Sequence, residues 1–287
     1  MPGFHHILFP VDFSDQCRAV RPFVRSMAER FHSRLTLLHS IQIPACWYGG
    51  LDAAYPIMLD LPDLEESARK ELTAFFSPAN EVSDRVVKLG DPATDITQFA
   101  DQNDVDLIMM PTHGYGKFRG LLLGSVTAKV LHDARSNVWT ATHTKNPDLS
   151  KHLECKNIMA AIDLTESAVP FIHRYADVAR DFNAKLRLVH AVPGASAETR
   201  YDLDQDFRSF LLQSARREIA RLQTEAGTNF EVCMEGGTVS RIVREAALHH
   251  DADLILMGRG SLQETFGRLR TNAYAIIRDA PCPVLSV

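Results

Sequence analysis

Short runs of consecutive apolar, often β-branched residues alternate along the chain with longer stretches in which apolar residues return every three or four positions. The runs predict strands near residues 5–11, 34–41, 82–89, 106–111 and 137–142. The amphipathic stretches predict helices near 15–32, 63–76, 92–103 and 124–134. In the first of these, Val20, Phe23, Val24, Met27 and Phe31 make one apolar stripe wide enough to cover a sheet. The plan returns in the second half, with helices near 167–182, 203–226, 239–250 and 271–279. Strands that are apolar on both faces and interleaved with helices predict an α/β fold with a parallel sheet covered on both sides.

The return is a repeat in the letters as well as in the pattern. FHHILFPVDFS at 4–14 is echoed by KNIMAAIDLTES at 156–167, and RLTLLHSI at 34–41 by KLRLVHAV at 185–192. Asp12 and Asp163, and His39 and His190, share an offset of 151 residues. DLIMMP at 106–111 matches DLILMG at 253–258 at an offset of 147, so the second copy has lost about four residues in its middle. VWTATH at 138–143 and CPVLSV at 282–287 close the copies. Four matches in the same order make a tandem duplication. The polar stretch at 144–155, with Pro147, places the boundary between a domain at 1–147 and one at 154–287.

Composition narrows the function. The 287 residues carry 31 basic and 36 acidic side chains, a formal net charge of −5, which argues against a broad nucleic-acid surface. No run approaches the roughly 20 apolar residues of a membrane span. The opening segment, interrupted by Pro10 and without a basic start, does not read as a signal peptide. Five scattered cysteines without paired spacing suit a reducing cytoplasm.

Ligands of open α/β sheets bind at the carboxyl ends of the strands. The first strand ends in Pro10-Val11-Asp12, the second at His39-Ser40, and the fourth runs into PTHGYGKFRGLLLGSVTAK at 111–129. In that last segment Gly114 permits close backbone approach, Lys117 and Arg119 bring charge, and Gly124-Ser125 opens a helix. Free N–H groups and the positive dipole end at such a helix start suit a phosphate, with Ser125 and Thr127 adding hydroxyl donors. Read without a ligand, the same Gly-Ser is a helix cap.

Gly114, nine further residues and then Gly124-Ser125 resemble the nucleotide-binding stretch, Gly-x2-Gly-x9-Gly-Ser/Thr, of the universal stress protein family. FPVDFS, LLHS and LGDPATDI at 89–96 are similar to other segments of that family, and the resemblance spans both halves. It implies two tandem Rossmann-like domains, each with a five-stranded sheet, packed as an internal pseudo-dimer through their last strands, so that a monomer and a homodimer are both open. It implies ATP in the first domain, alone or with Mg²⁺ or another divalent ion. Pro10, Asp12 and the backbone around Ser40 would then hold the adenine. Thr112, His113 and Gly114 would meet ribose and phosphates, and Gly124, Ser125, Val126 and Thr127 would cradle the phosphates. Binding would be coupled to a protein partner in a stress response, with no nucleic acid and no membrane involved. Pro111 departs from the pattern: it stands at the first glycine and has no N–H. In the second copy Gly258 keeps that glycine, Ser261 replaces the next, and Thr271-Asn272, which would still cap a helix, replaces Gly-Ser. The second domain is therefore expected to lack ordinary ATP binding and to serve structure, regulation or a different anionic ligand.

Other residues invite weaker readings. Twelve histidines form no metal-ligand spacing; His5-His6 and His249-His250 read as surface or cap residues, and His39 and His190 as half-buried structural residues. Asp12 has no nucleophile or orienting partner near it in sequence, so catalysis is not expected, although slow ATP hydrolysis stays open. Segment 42–62, apolar and rich in Gly and Pro, is either a long connection or a lid or partner surface. A nucleotide-free interaction module is the remaining alternative.

Overall fold

The computed structural model describes residues 3–42, 61–76, 82–114, 123–142, 153–165, 168–195, 205–259 and 268–287. Contacts divide the chain into two compact units, one of residues 4–120 and 124–138 and the other chiefly of 139–287. Most of the 42–62 segment, the 144–155 stretch up to residue 152, Lys117, Arg119 and Ser261 lie outside the described residues.

The first half runs β1 (His6–Pro10), α1 (Asp15–Phe31), β2 (Arg34–Ile41), α2 (Leu61–Phe75), β3 (Asp84–Leu89), α3 (Pro92–Gln102), β4 (Leu107–Met110), α4 (Ser125–Asp133) and β5 (Asn137–Thr140). The second runs β6 (Asn157–Ala161), α5 (Ala168–Phe182), β7 (Lys185–Val192), α6 (Gln205–Glu225), β8 (Glu231–Gly236), α7 (Val239–His249), β9 (Leu254–Met257), α8 (Arg268–Asp279) and β10 (Val284–Ser286). The strand order is β3-β2-β1-β4-β5 in the first half and β10-β9-β6-β7-β8 in the second. The pairings β1–β2, β1–β4 and β2–β3 are parallel, as are β6–β7, β6–β9 and β7–β8. This is the α/β architecture that the alternating pattern implies. In each half the order reverses beside the first strand, which opens a crevice at the carboxyl ends of β1 and β4, and of β6 and β9.

The strands are apolar throughout because both faces are covered: Ile7, Leu8 and Phe9 of β1 and Leu107, Ile108 and Met109 of β4 have no exposure. The α1 stripe packs as its spacing implies, with Val20, Phe23, Val24 and Met27 buried. Phe31, at its end, is half-buried and meets Phe4 edge-on at 5.3 Å.

Both α1 and α5 end in the same way. His32 and Asn183 take the left-handed conformation, with φ of 52° and 51°. Ser33 N–H then reaches Ala28 O, and Ala184 N–H reaches Ala179 O, each at 2.9 Å. These turns aim β2 and β7 back alongside β1 and β6.

A polar bolt fixes α4, whose first turn borders the crevice. Asp91, the N-cap of α3, accepts from Thr94 N–H at 3.0 Å and from Lys129 Nζ of α4 at 2.8 Å. Lys129, followed by the Thr94 hydroxyl and N–H, holds the Asp91 carboxyl down at about 2, against 3.8 for the ordinary group. Because the folded-state value lies below the unfolded one, this contribution is complete above about pH 4 and is lost as pH falls through about 2. Asp91→Ala is expected to cost about 1 kcal/mol at pH 7, since the carboxylate is half-exposed and screened. Urea midpoints of wild type and variant should converge between pH 4 and pH 2; a pH-independent gap would contradict the assignment.

Candidate functional site

The crevice of the first half is built around Asp12, two residues beyond β1. Its Oδ1 accepts from Ser14 N–H at 3.0 Å and from Ser14 Oγ at 2.6 Å, while Ser14 itself caps α1 by accepting from Cys17 N–H at 3.1 Å. The turn is tight enough to put Phe13 at φ 62°. With Oδ1 held this way, Oδ2 reaches the loop after β4: a Cβ on Gly114 would lie 2.0 Å from it. No other residue fits at position 114 without moving that carboxylate. Glycine is needed here for space.

The segment after β4 is closed at its ends. Gly124 N–H donates to Thr112 O at 2.9 Å, and Thr127 Oγ1 donates to Pro111 O at 3.1 Å. Thr112 is buried and its hydroxyl lies 3.1 Å from His113 Nδ1. Asp12, Thr112, His113, Gly114, Gly124 and Thr127 are thereby gathered at the ends of β1 and β4. Two expected phosphate donors have other employment. The Gly124 N–H and the Thr127 hydroxyl serve loop closure, and Gly124 has an ordinary φ of −56°. Ser125 is exposed, and Ser125, Val126 and Thr127 carry the first-turn N–H groups that no helix can satisfy internally.

Pro10 closes β1 opposite Leu38, and Val11 N–H continues the ladder to Leu38 O at 2.8 Å. His39 donates from Nδ1 to Val11 O at 2.7 Å, and His190 makes the same bond to Ile162 O at 2.8 Å. Both histidines are thus structural, as their recurrence implies; each secures the backbone just before the aspartate. Ser40, one residue farther, has a buried hydroxyl with no hydrogen-bond partner. A buried polar atom in that state suits a ligand that can satisfy it.

The second half has the same frame with different contents. Asp163 Oδ1 accepts from Thr165 Oγ1 at 2.7 Å, as Asp12 does from Ser14. Gly258, which aligns with Pro111 and not with Gly114, has an aromatic ring against it: a Cβ there would lie 2.8 Å from two atoms of Phe171. Tyr175, fully buried and stacked on Phe171 with ring centroids 6.1 Å apart, donates its hydroxyl to Ala161 O at 3.0 Å. Burial, followed by the Asp163 charge, pushes the Tyr175 hydroxyl well above its usual range. At the offset of 151 residues, Phe171, Tyr175 and Ala191 stand where the first half has Val20, Val24 and Ser40. That alignment is the sequence signal that could have found the change. One expectation is corrected: α8 begins at Arg268, three residues before Thr271. Thr271-Asn272 therefore lies within a helix, past its start. Gly124-Ser125, by contrast, is a helix start.

One histidine reading changes. His6 is buried, with Nδ1 2.9 Å from Asn103 O and Nε2 2.9 Å from Thr36 Oγ1, so it stitches β1 to its neighbours. His250 ends α7, as expected of a cap residue, and its Nε2 lies 3.1 Å from Cys233 Sγ. Burial raises the Cys233 thiol and lowers the His250 imidazole, which favours a neutral S–H···N pair. Among the described residues no group of three or more His, Cys, Asp or Glu is placed to hold a metal ion, and no helix is long and apolar enough to cross a membrane.

Comparison with known proteins identifies this frame. The sequence model of the universal stress protein family matches residues 3–141 and again 154–287. A universal stress protein A homolog of Coxiella burnetii is 31% identical over 137 residues, covering 46% of this chain and 95% of the relative. Universal stress protein G of Salmonella typhimurium is 26% identical over 132 residues, 44% of this chain and 90% of that one. Among solved structures, a universal stress protein from Archaeoglobus fulgidus matches 100% of this chain and 97% of its own, with a TM-score of 0.67 at 20% identity, a likeness of fold. The chain belongs to the universal stress protein family, as a member with two such domains in tandem.

Proposed function

We propose that the first half binds an adenine nucleotide, ATP in the first instance, and that occupancy is read by a protein partner in a cytoplasmic stress response. The observation that carries this reading is the Asp12 carboxylate seated on Gly114 at the sheet's crevice, beside the first turn of α4. The orphaned Ser40 hydroxyl adds a group that a base or ribose could satisfy. Asp12 and the backbone near Ser40 would hold the base, and Thr112, His113 and Gly114 the ribose and inner phosphates. Ser125, Val126 and Thr127 would offer first-turn N–H groups to the outer phosphates. The nucleotide brings negative charge that this turn can stabilise; nothing in the reading requires turnover.

Pro111 favours a second reading. It supplies no N–H, and its carbonyl is already bound by Thr127, so a nucleotide-free interaction module would also suit the loop. Heat denaturation of purified protein, ion-pair chromatography of the supernatant and ATP titration calorimetry separate the two. One nucleotide per chain is expected. None, with no heat on titration, overturns the proposal in favour of the interaction module, and two per chain overturns the restriction to the first half.

A further inference from the structure

The second half holds a cavity of about 240 Å³ at the carboxyl ends of β6, β7 and β9, walled by α5, α7 and the inward side of α8. It occupies the place in the repeat that the Asp12 crevice occupies in the first half, yet its chemistry differs. Phe171, Tyr175, Val243, Met257 and Ile276 make its wall largely apolar. Ala191 stands where the first half has the Ser40 hydroxyl.

The polar groups left in the lining point one way. Asp163 uses Oδ1 for the Thr165 hydroxyl, and no hydrogen bond engages Oδ2 among the described residues. His190 spends Nδ1–H on the Ile162 carbonyl, so in its neutral form it has only an acceptor to offer. No lysine or arginine lines the cavity among the described residues. The Gly258 backbone is packed against Phe171, and Asn272 of α8 brings a neutral amide to the lining rather than a cation. An anion entering here would meet a carboxylate and find no cation among the described residues of the wall.

We infer that the second half is a receptor for a small apolar molecule with an amine head, the body packed against Phe171 and Met257 and the head donating to Asp163. Of the three roles the sequence leaves open for this half, structure, regulation or a different anionic ligand, the last is the one this wall suits least. A volume of this order accommodates a compact body of one or two rings or a branched chain, in line with small-molecule sites that are apolar with a few orienting polar groups.

The test pairs amines with acids of the same body on the full chain: tryptamine with indole-3-propionate, and isoamylamine with isovalerate. Each is followed by ligand-observed NMR and calorimetry at neutral pH. At least one amine is expected to bind at one per chain, its acid partner at least tenfold more weakly. Asp163→Asn, which keeps the side chain's shape, should weaken the amine by about tenfold, the effect of losing a charged acceptor. Asp12→Asn should leave amine binding unchanged. Val243→Trp, which fills the cavity, should abolish it; a thermal melt checks that this variant is folded, and if it is not, the Asp163→Asn titration decides. Absence of binding by both amines, acids binding as tightly as amines, or indifference to Asp163→Asn would each overturn the inference. ATP bound in a manner sensitive to Asp163→Asn would overturn it as well.

Discussion

Gly114→Ala should lower affinity for ATP by about 10- to 100-fold, the equivalent of losing one charge-assisted hydrogen bond. The added methyl would lie 2.0 Å from Asp12 Oδ2, so the carboxylate must swing away. Swinging it also strains the Ser14 contacts that open α1, at a cost of up to about 1 kcal/mol in stability. Calorimetric titration gives the first effect and a urea melt the second. A double-mutant cycle isolates the cause. In an Asp12→Ala background the clash no longer exists, so Gly114→Ala should change affinity by less than about twofold. An undiminished effect in that background would show that position 114 acts through its own backbone and that Asp12 is incidental.

Phe9→Ala should destabilise the first half by about 3–5 kcal/mol, the usual range for emptying an aromatic site in a close-packed core. Phe9 has no exposure and lies in β1 between Phe75, at 6.2 Å between ring centroids, and Phe76, at 6.5 Å. The backbone of β1 is hydrogen-bonded on both sides, which limits collapse into the space. Peptide-resolved hydrogen exchange is the suitable readout because it reports on one half at a time. Amides of β1, β2 and β4 should exchange about two to four orders of magnitude faster, and those of β6, β7 and β9 should change far less. An equal change in both sets would mean that the halves open together.

The fold was legible because its information is local and repeated. Periodicity located the helices and strands, and the fixed offset between Asp12 and Asp163 showed that whatever held for one half had a counterpart in the other. Gly114 was legible as a place of close approach, but the group that approaches it is Asp12, about a hundred residues away in the chain. Gly124 and Thr127 read as phosphate donors because a helix start and a hydroxyl are visible in sequence. Their partners, Thr112 O and Pro111 O, are chosen by how the loop closes. His6 read as a surface residue from its position at a strand's edge; its burial depends on Asn103 and Thr36, which only the folded sheet brings near. Thr271-Asn272 was read as a cap by analogy with Gly124-Ser125, although a helix boundary depends on which residues ahead of it can also turn. Arg268 to Arg270 can.

The histidine-to-carbonyl bonds and the left-handed turns after α1 and α5 are the same in both halves, while the residues that face the two crevices differ. The duplication has therefore separated the parts of the domain that set its shape from those that choose its guest. Phe171→Val, Tyr175→Val and Ala191→Ser would rewrite one wall in the idiom of the other without touching that shared frame. In this sense the chain is its own paired specimen: each half is the background against which the other's specificity can be measured.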